Sequence, residues 1–75
     1  MKIFVVDSQN VRITVHPMES STVAILKEEI KNKCKINDDI NLIYNGNILE
    51  DNEYLLNYDI EAGSVICFLG KFPIN

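Results

Sequence analysis

One stretch of this chain repeats with the period of a helix, and the segments on either side repeat with the period of a strand. Val23, Leu26 and Ile30 recur at spacings of three and four, while Lys27, Glu28, Lys31 and Asn32 fall on the opposite face. Ser20-Ser21-Thr22 stands just before this pattern, and Thr22 is the expected N-cap because its hydroxyl can accept from a free amide of the first turn. The pattern fades near Cys34. A helix with a single apolar stripe lies across a sheet, covering one face and leaving the other to solvent.

The sheet is written in short alternating runs. Ile3 and Val5, with Met1, point one way from the first run and Lys2, Phe4 and Val6 the other, because strand side chains alternate with period two. Asp7-Ser8-Gln9-Asn10 is a polar turn, and Val11, Ile13 and Val15 return the chain as the second strand of a hairpin that Pro17 ends. Beyond the helix, Asn37-Asp38-Asp39 is a loop. Asn41 to Tyr44 is a strand, Asn45-Gly46 a hairpin turn, and Ile48-Leu49 the return strand. Glu50 to Tyr58 connects, with Leu55 and Leu56 anchoring a short helical turn, and Val65 to Leu69 is the last strand. The order is ββαββ with a final β, an α+β arrangement of one domain over 1–70, and 71–75 reads as a departing tail or the start of a linker. The expected core is Ile3, Val5, Val11, Ile13, Val15, Val23, Leu26, Ile30, Leu42, Leu49, Leu55, Ile60, Ile66 and Phe68, each buried aliphatic contributing about 1.5–3 kcal/mol.

Composition removes several classes of function. Seventy-five residues make about one small domain, and 47% hydrophobic against 24% charged residues is too apolar for intrinsic disorder. No apolar run approaches the roughly 20 residues that cross a bilayer, so no membrane contact is expected. Seven basic against eleven acidic residues give a net charge of −4, which argues against direct nucleic-acid binding, where phosphate contacts dominate affinity. Cys34 and Cys67 are the only thiols. Small disulfide scaffolds carry more, so a reducing compartment, cytoplasm or nucleus, is expected.

Catalytic groups are sparse as well. His16, the one histidine, stands before Pro17 at a strand end, the place of a surface residue more than of a general base. The two cysteines lie in different elements without a partner at a telling spacing for a nucleophile or a zinc site. Glu50, Asp51 and Glu53 read as a solvated acidic surface, and no glycine-rich phosphate loop occurs. The chain is expected to be no enzyme and to hold no metal or cofactor.

The residues together resemble the ubiquitin family. Met1-Lys2-Ile3-Phe4-Val5 and a helix opening at Thr22 with Lys27, Ile30 and Lys33 are similar to its first half. Leu42-Ile43-Tyr44-Asn45-Gly46, Leu49-Glu50-Asp51, Leu55, Tyr58 and Ser64-Val65-Ile66 are similar to its second. The resemblance runs from residue 1 to about 70 and implies a β-grasp, a mixed four- to five-stranded sheet whose first and last strands are parallel neighbours gripping one helix. It also implies a buried, hydrogen-bonded Tyr58. Where the family closes its helix with a left-handed glycine this chain has Lys35, so either Lys35 takes positive φ, at about 1 kcal/mol, or the helix ends differently.

Function is expected on the uncovered sheet face. The family binds receptors there through a leucine, an isoleucine, a histidine and a valine; Ile43 matches the isoleucine, Cys67 the histidine and Leu69 the valine, while Asp7-Ser8-Gln9-Asn10 offers no leucine and Val6 partly replaces its area. Gly46 beside Ile43 lets a partner helix approach the backbone. Single exposed apolar residues are ordinary on any protein; the match of several at once favours a binding patch. The candidate partner-binding residues are thus Val6, Ile43, Gly46, Cys67 and Leu69, rimmed by Asn41, Asn45 and Asn47, suited to an amphipathic helix held at roughly micromolar affinity or weaker.

Conjugation, the family's other activity, requires a tail ending in two glycines, whereas this one reads Gly70-Lys71-Phe72-Pro73-Ile74-Asn75. Asn47 stands where the main linkage lysine would be, and Lys27 is expected to pair with Asp51. The chain is therefore most similar to non-conjugating domains, and Leu42 to Leu49, Tyr58-Asp59-Ile60 and Gly70-Lys71 resemble the N-terminal domains of proteasome shuttle factors of the excision-repair family. That likeness implies a monomer that docks on proteasomal ubiquitin receptors while the rest of a longer protein carries ubiquitinated cargo. The other expectations are a regulatory domain of a ubiquilin-like protein, deubiquitinase or chaperone cofactor, and a truncated modifier.

Overall fold

A computed structural model describes residues 1–73 of the chain. Its strands are β1 (Ile3–Val6), β2 (Arg12–Val15), β3 (Leu42–Tyr44), β4 (Asn47–Ile48) and β5 (Val65–Phe68), with one α-helix, α1 (Val23–Cys34), and a 3₁₀ turn at Leu55–Tyr58. The sheet runs β2-β1-β5-β3-β4, with β1 and β5 parallel at its centre and the other neighbours antiparallel. No described helix is long and apolar enough to cross a membrane.

Helix α1 begins where the sequence places it. Thr22 is extended (φ −84°, ψ 167°) and its Oγ1 accepts from the Ile25 amide at 3.3 Å. It ends on Lys35, which takes the left-handed conformation (φ 57°, ψ 47°) and donates its amide to the Lys31 carbonyl. Of the two expected endings the strained one occurs, the conformation costing a non-glycine residue about 1 kcal/mol. Lys27 pairs with Asp51 as expected, at 2.5 Å.

The core lies between α1 and one sheet face. Ile3, Val5, Val15, Leu42, Ile66 and Phe68 rise from the strands to meet Val23, Leu26 and Ile30, and Leu49, Leu55 and Ile60 close the edges. Val11 and Ile13 depart from the expected core and only pack half-buried against it, because they lie at the turn end of an edge hairpin, with Val11 just before β2, whereas Val15 at the other end of that strand is fully buried. Leu55 is buried but Leu56 is 71% exposed. Successive residues of a 3₁₀ turn lie a third of a turn apart, so Leu56 cannot share its neighbour's direction. Tyr58 is half-buried instead of buried, though its hydroxyl accepts from the Glu50 amide at 3.0 Å.

The core also takes in two residues that alternation does not reach. Ile40 is buried from the loop before β3, and Phe72 is 2% exposed, its ring stacked on Phe68 with centroids 5.1 Å apart. Phe72 is thus part of the packed domain, correcting the reading of 71–75 as a departing tail; Pro73 is exposed, and Ile74 and Asn75 lie outside the described residues. Gly70 permits this return, since a Cβ there would stand 2.7 Å from the Phe68 ring. The segment is then tied to the β1–β2 turn, with the Ser8 amide donating to the Gly70 carbonyl (2.8 Å) and the Phe72 amide to Asp7 Oδ2 (2.9 Å).

Candidate protein-interaction face

Strand register decides which side chains share the uncovered face. Val6 is opposite Cys67, Cys67 opposite Ile43, and Ile43 opposite Ile48, while on the other side Val6 is opposite Arg12. One row therefore crosses all five strands in the order Arg12, Val6, Cys67, Ile43, Ile48. Its members alternate with the buried residues Val5, Ile66 and Leu42, so they stand on the face away from α1. Val6 and Ile43 are half-buried by their neighbours, Cys67 is exposed, and Ile48 is 60% exposed.

Leu69 and Gly46 lie beyond this row at opposite ends of β3. Leu69, two residues past Cys67 and just after β5, donates its amide to the Asn41 carbonyl at 2.9 Å and leaves its side chain 53% exposed. Gly46 sits in the β3–β4 turn with Asn45, both at positive φ (82° and 52°), the two-residue hairpin geometry that Asn-Gly favours. A Cβ built on Gly46 would meet nothing within 4 Å, so the turn is open to an approaching surface. The structure thus brings Val6, Cys67 and Ile43 side by side, with Leu69 and Gly46 flanking them along β3.

Ile48, expected in the return strand, was not among the candidate face residues, although the signal was present. A two-residue turn at Asn45-Gly46 pairs Tyr44 with Asn47 and therefore Ile43 with Ile48, and counting outward from the turn places both isoleucines on one face. A second row, Thr14, Phe4 and Val65, lies on the same face beside the first. Phe4 there carries the Arg12 guanidinium 4.7 Å and the Lys2 ammonium 5.7 Å from its ring centroid, so the face has a cationic border on the β2 side.

This surface offers apolar area around one exposed thiol, that of Cys67. Two concavities open beside the row, one by Lys27 and Asp51 that reaches Asn41 and one between Ile36 and Pro73 that reaches Leu69, and neither includes Val6, Ile43 or Cys67. Cys34 and Cys67 are both free thiols. Burial pushes the Cys34 thiol up against the opposing pull of Lys33, which disfavours its thiolate. His16 is exposed and is engaged through its backbone, its amide donating to Glu29 Oε2 at 2.7 Å. Among the described residues no three His, Cys, Asp or Glu side chains form a metal-holding group.

The family model described as Ubiquitin family matches residues 3–73. The chain belongs to the ubiquitin family. Its match continues past Gly70 to the segment that holds Phe72, as the packing does. A search of curated proteins returns no match. Membership gives this ubiquitin-family domain a protein-interaction or modifier role, and the Val6–Cys67–Ile43 row lies on the sheet face that α1 leaves uncovered.

Proposed function

We propose that this domain works by binding, without a catalytic centre, and that its partner is an amphipathic helix of a ubiquitin receptor laid across the uncovered sheet face. The supporting observation is the register that sets Val6, Cys67 and Ile43 in one row of the uncovered face, with Leu69 beside it and an open turn at Gly46. A partner helix with apolar residues one turn apart spans such a row, and its polar flanks meet Asn41, Asn45 and Asn47, all exposed. A contact of this size gives weak, exchangeable binding, roughly micromolar.

Within that reading, the receptors are those of the proteasome, and the domain belongs to a longer shuttle protein of the cytoplasm and nucleus that delivers ubiquitinated cargo, with a link to excision repair. The resemblance over Leu42–Leu49 and Tyr58–Ile60 is what supports it. A modifier role requires a free C-terminal tail, and the anchoring of Phe72 against Phe68 and Asp7 favours the non-conjugating reading.

The test is amide chemical-shift mapping on adding a proteasomal ubiquitin-interacting helix to the wild type and to Ile43→Ala. Shifts centred on Val6, Ile43, Gly46, Cys67 and Leu69, lost in a variant that keeps its dispersed spectrum, are expected. Silence in the wild type would sink the proteasome assignment.

A further inference from the structure

The exposed large apolar side chains of the described residues fall into two groups. Ile48, Val65 and Leu69 belong to the sheet face already described, whereas Met18, Ile25, Tyr54 and Leu56 do not. The second group is the more exposed, at 72%, 55%, 53% and 71%. These four come from three separate segments, and backbone bonding holds those segments together at the N-terminal end of α1. Thr22 and Tyr54 form an antiparallel bridge, the Leu55 amide donates to the Ser21 carbonyl at 3.0 Å, and the Val23 amide to the Glu53 carbonyl at 2.8 Å. Met18 closes a turn onto the Ser21 amide at 3.0 Å, and Ile25 is the residue that Thr22 caps.

No element of the described chain covers this end, and core packing does not require these residue types, since Val23 and Leu55 beside them are already fully buried. The charge around them is mainly acidic: the cations nearby are Lys27, held by Asp51, and the N-terminal ammonium, bonded to the Pro17 carbonyl beside Met18. Glu19 adjoins Met18, Glu53 adjoins Tyr54, Glu28 and Glu29 lie one turn along α1 from Ile25, and Asp59 follows Leu56 by three residues. No lysine or arginine holds any of those positions. An apolar patch within an acidic border repels anionic lipid headgroups and nucleic-acid phosphates, and it complements a peptide that presents apolar residues flanked by cations.

We propose that the N-terminal end of α1, through Met18, Ile25, Tyr54 and Leu56, is a second docking surface whose occupant is a cationic amphipathic segment of a partner protein. It is separate from the sheet-face row, so the domain can hold two partners at once.

A synthetic amphipathic helix of leucines and lysines, titrated into the isotope-labelled 75-residue chain, tests this. Amide shifts are expected to centre on Met18 to Thr22, Ile25 and Tyr54 to Asn57. Binding is expected to weaken about tenfold when glutamates replace the peptide's lysines, and to weaken with added salt. A Tyr54→Ser, Leu56→Ser variant that keeps its dispersed spectrum should lose those shifts, while Ile43→Ala should retain them, which separates this surface from the receptor face. Equal affinity for the glutamate peptide, or shifts confined to the sheet face, would overturn the proposal. So would concentration-dependent shifts at this end without peptide, which would make a second copy the occupant, and binding to anionic vesicles in preference to the peptide.

Discussion

Asp7 is bonded to a residue 65 positions away. The residue is 5% exposed, and its carboxylate accepts three amides, from Gln9 (2.9 Å) and Val11 (2.8 Å) on Oδ1 and from Phe72 (2.9 Å) on Oδ2. Burial pushes this carboxyl up, but the amides of Phe72, Val11 and Gln9, helped by the nearby Lys71 charge, outweigh it and hold its pKa below the ordinary 3.8. A folded pKa below the unfolded one gives stability that is complete above about pH 5 and disappears as pH falls through the folded value. Asp7→Asn should therefore be less stable than wild type by a constant amount from about pH 5 to 8, with the difference shrinking below about pH 4, as chemical denaturation at each pH would show. A difference that persists undiminished in acid would mean the carboxylate charge is irrelevant. The turn itself was legible from Asp7-Ser8-Gln9-Asn10, but its third amide comes from the far end of the chain and leaves no local signature. Lys35 was legible as a choice between a left-handed closing residue and a different helix end, and the chain takes the first. Lys35→Gly is expected to raise stability by about 1 kcal/mol, or several degrees in melting temperature, in a thermal scan.

At the level of elements, the departures from the sequence reading share a cause. Alternation tells which face a residue takes but not how much neighbours cover it, so Val11 and Ile13, at the turn end of the β1–β2 hairpin, are half-buried while Val15 at its other end and Ile3 and Val5 on β1 are fully buried. Periodicity also fails outside regular structure, which is why Ile40 and Phe72, buried from loop and terminal segment, went unread. The C-terminal segment is the strongest test of this. Phe72→Ala removes a ring stacked on Phe68 and should cost about 3 kcal/mol, visible in urea unfolding as a lower midpoint with an unchanged slope. A loss under about 1 kcal/mol would place that ring outside the core in solution.

Over the whole molecule, the order β2-β1-β5-β3-β4 makes a binding surface from residues scattered between positions 6 and 69. Strand parity set Val6, Ile43, Cys67 and Leu69 opposite the core-facing residues of their own strands. Neighbour order and register depend on which strands meet, and they entered the reading through the family likeness rather than through pattern. The patch at the head of α1 stayed unread because its members come from loops and from a helix flank, where no period marks them.

The parallel pairing of β1 and β5 also has a mechanical meaning. Strands from near the two ends of the described chain lie side by side in the middle of the sheet. Tension applied between the ends loads their hydrogen bonds in shear, all together, instead of peeling them one after another. Ahead of them stands the Phe72 segment, held by one ring and by bonds to Ser8 and Asp7, which gives way first. A motor drawing this domain from its C-terminal side thus meets a light catch and then a bolt.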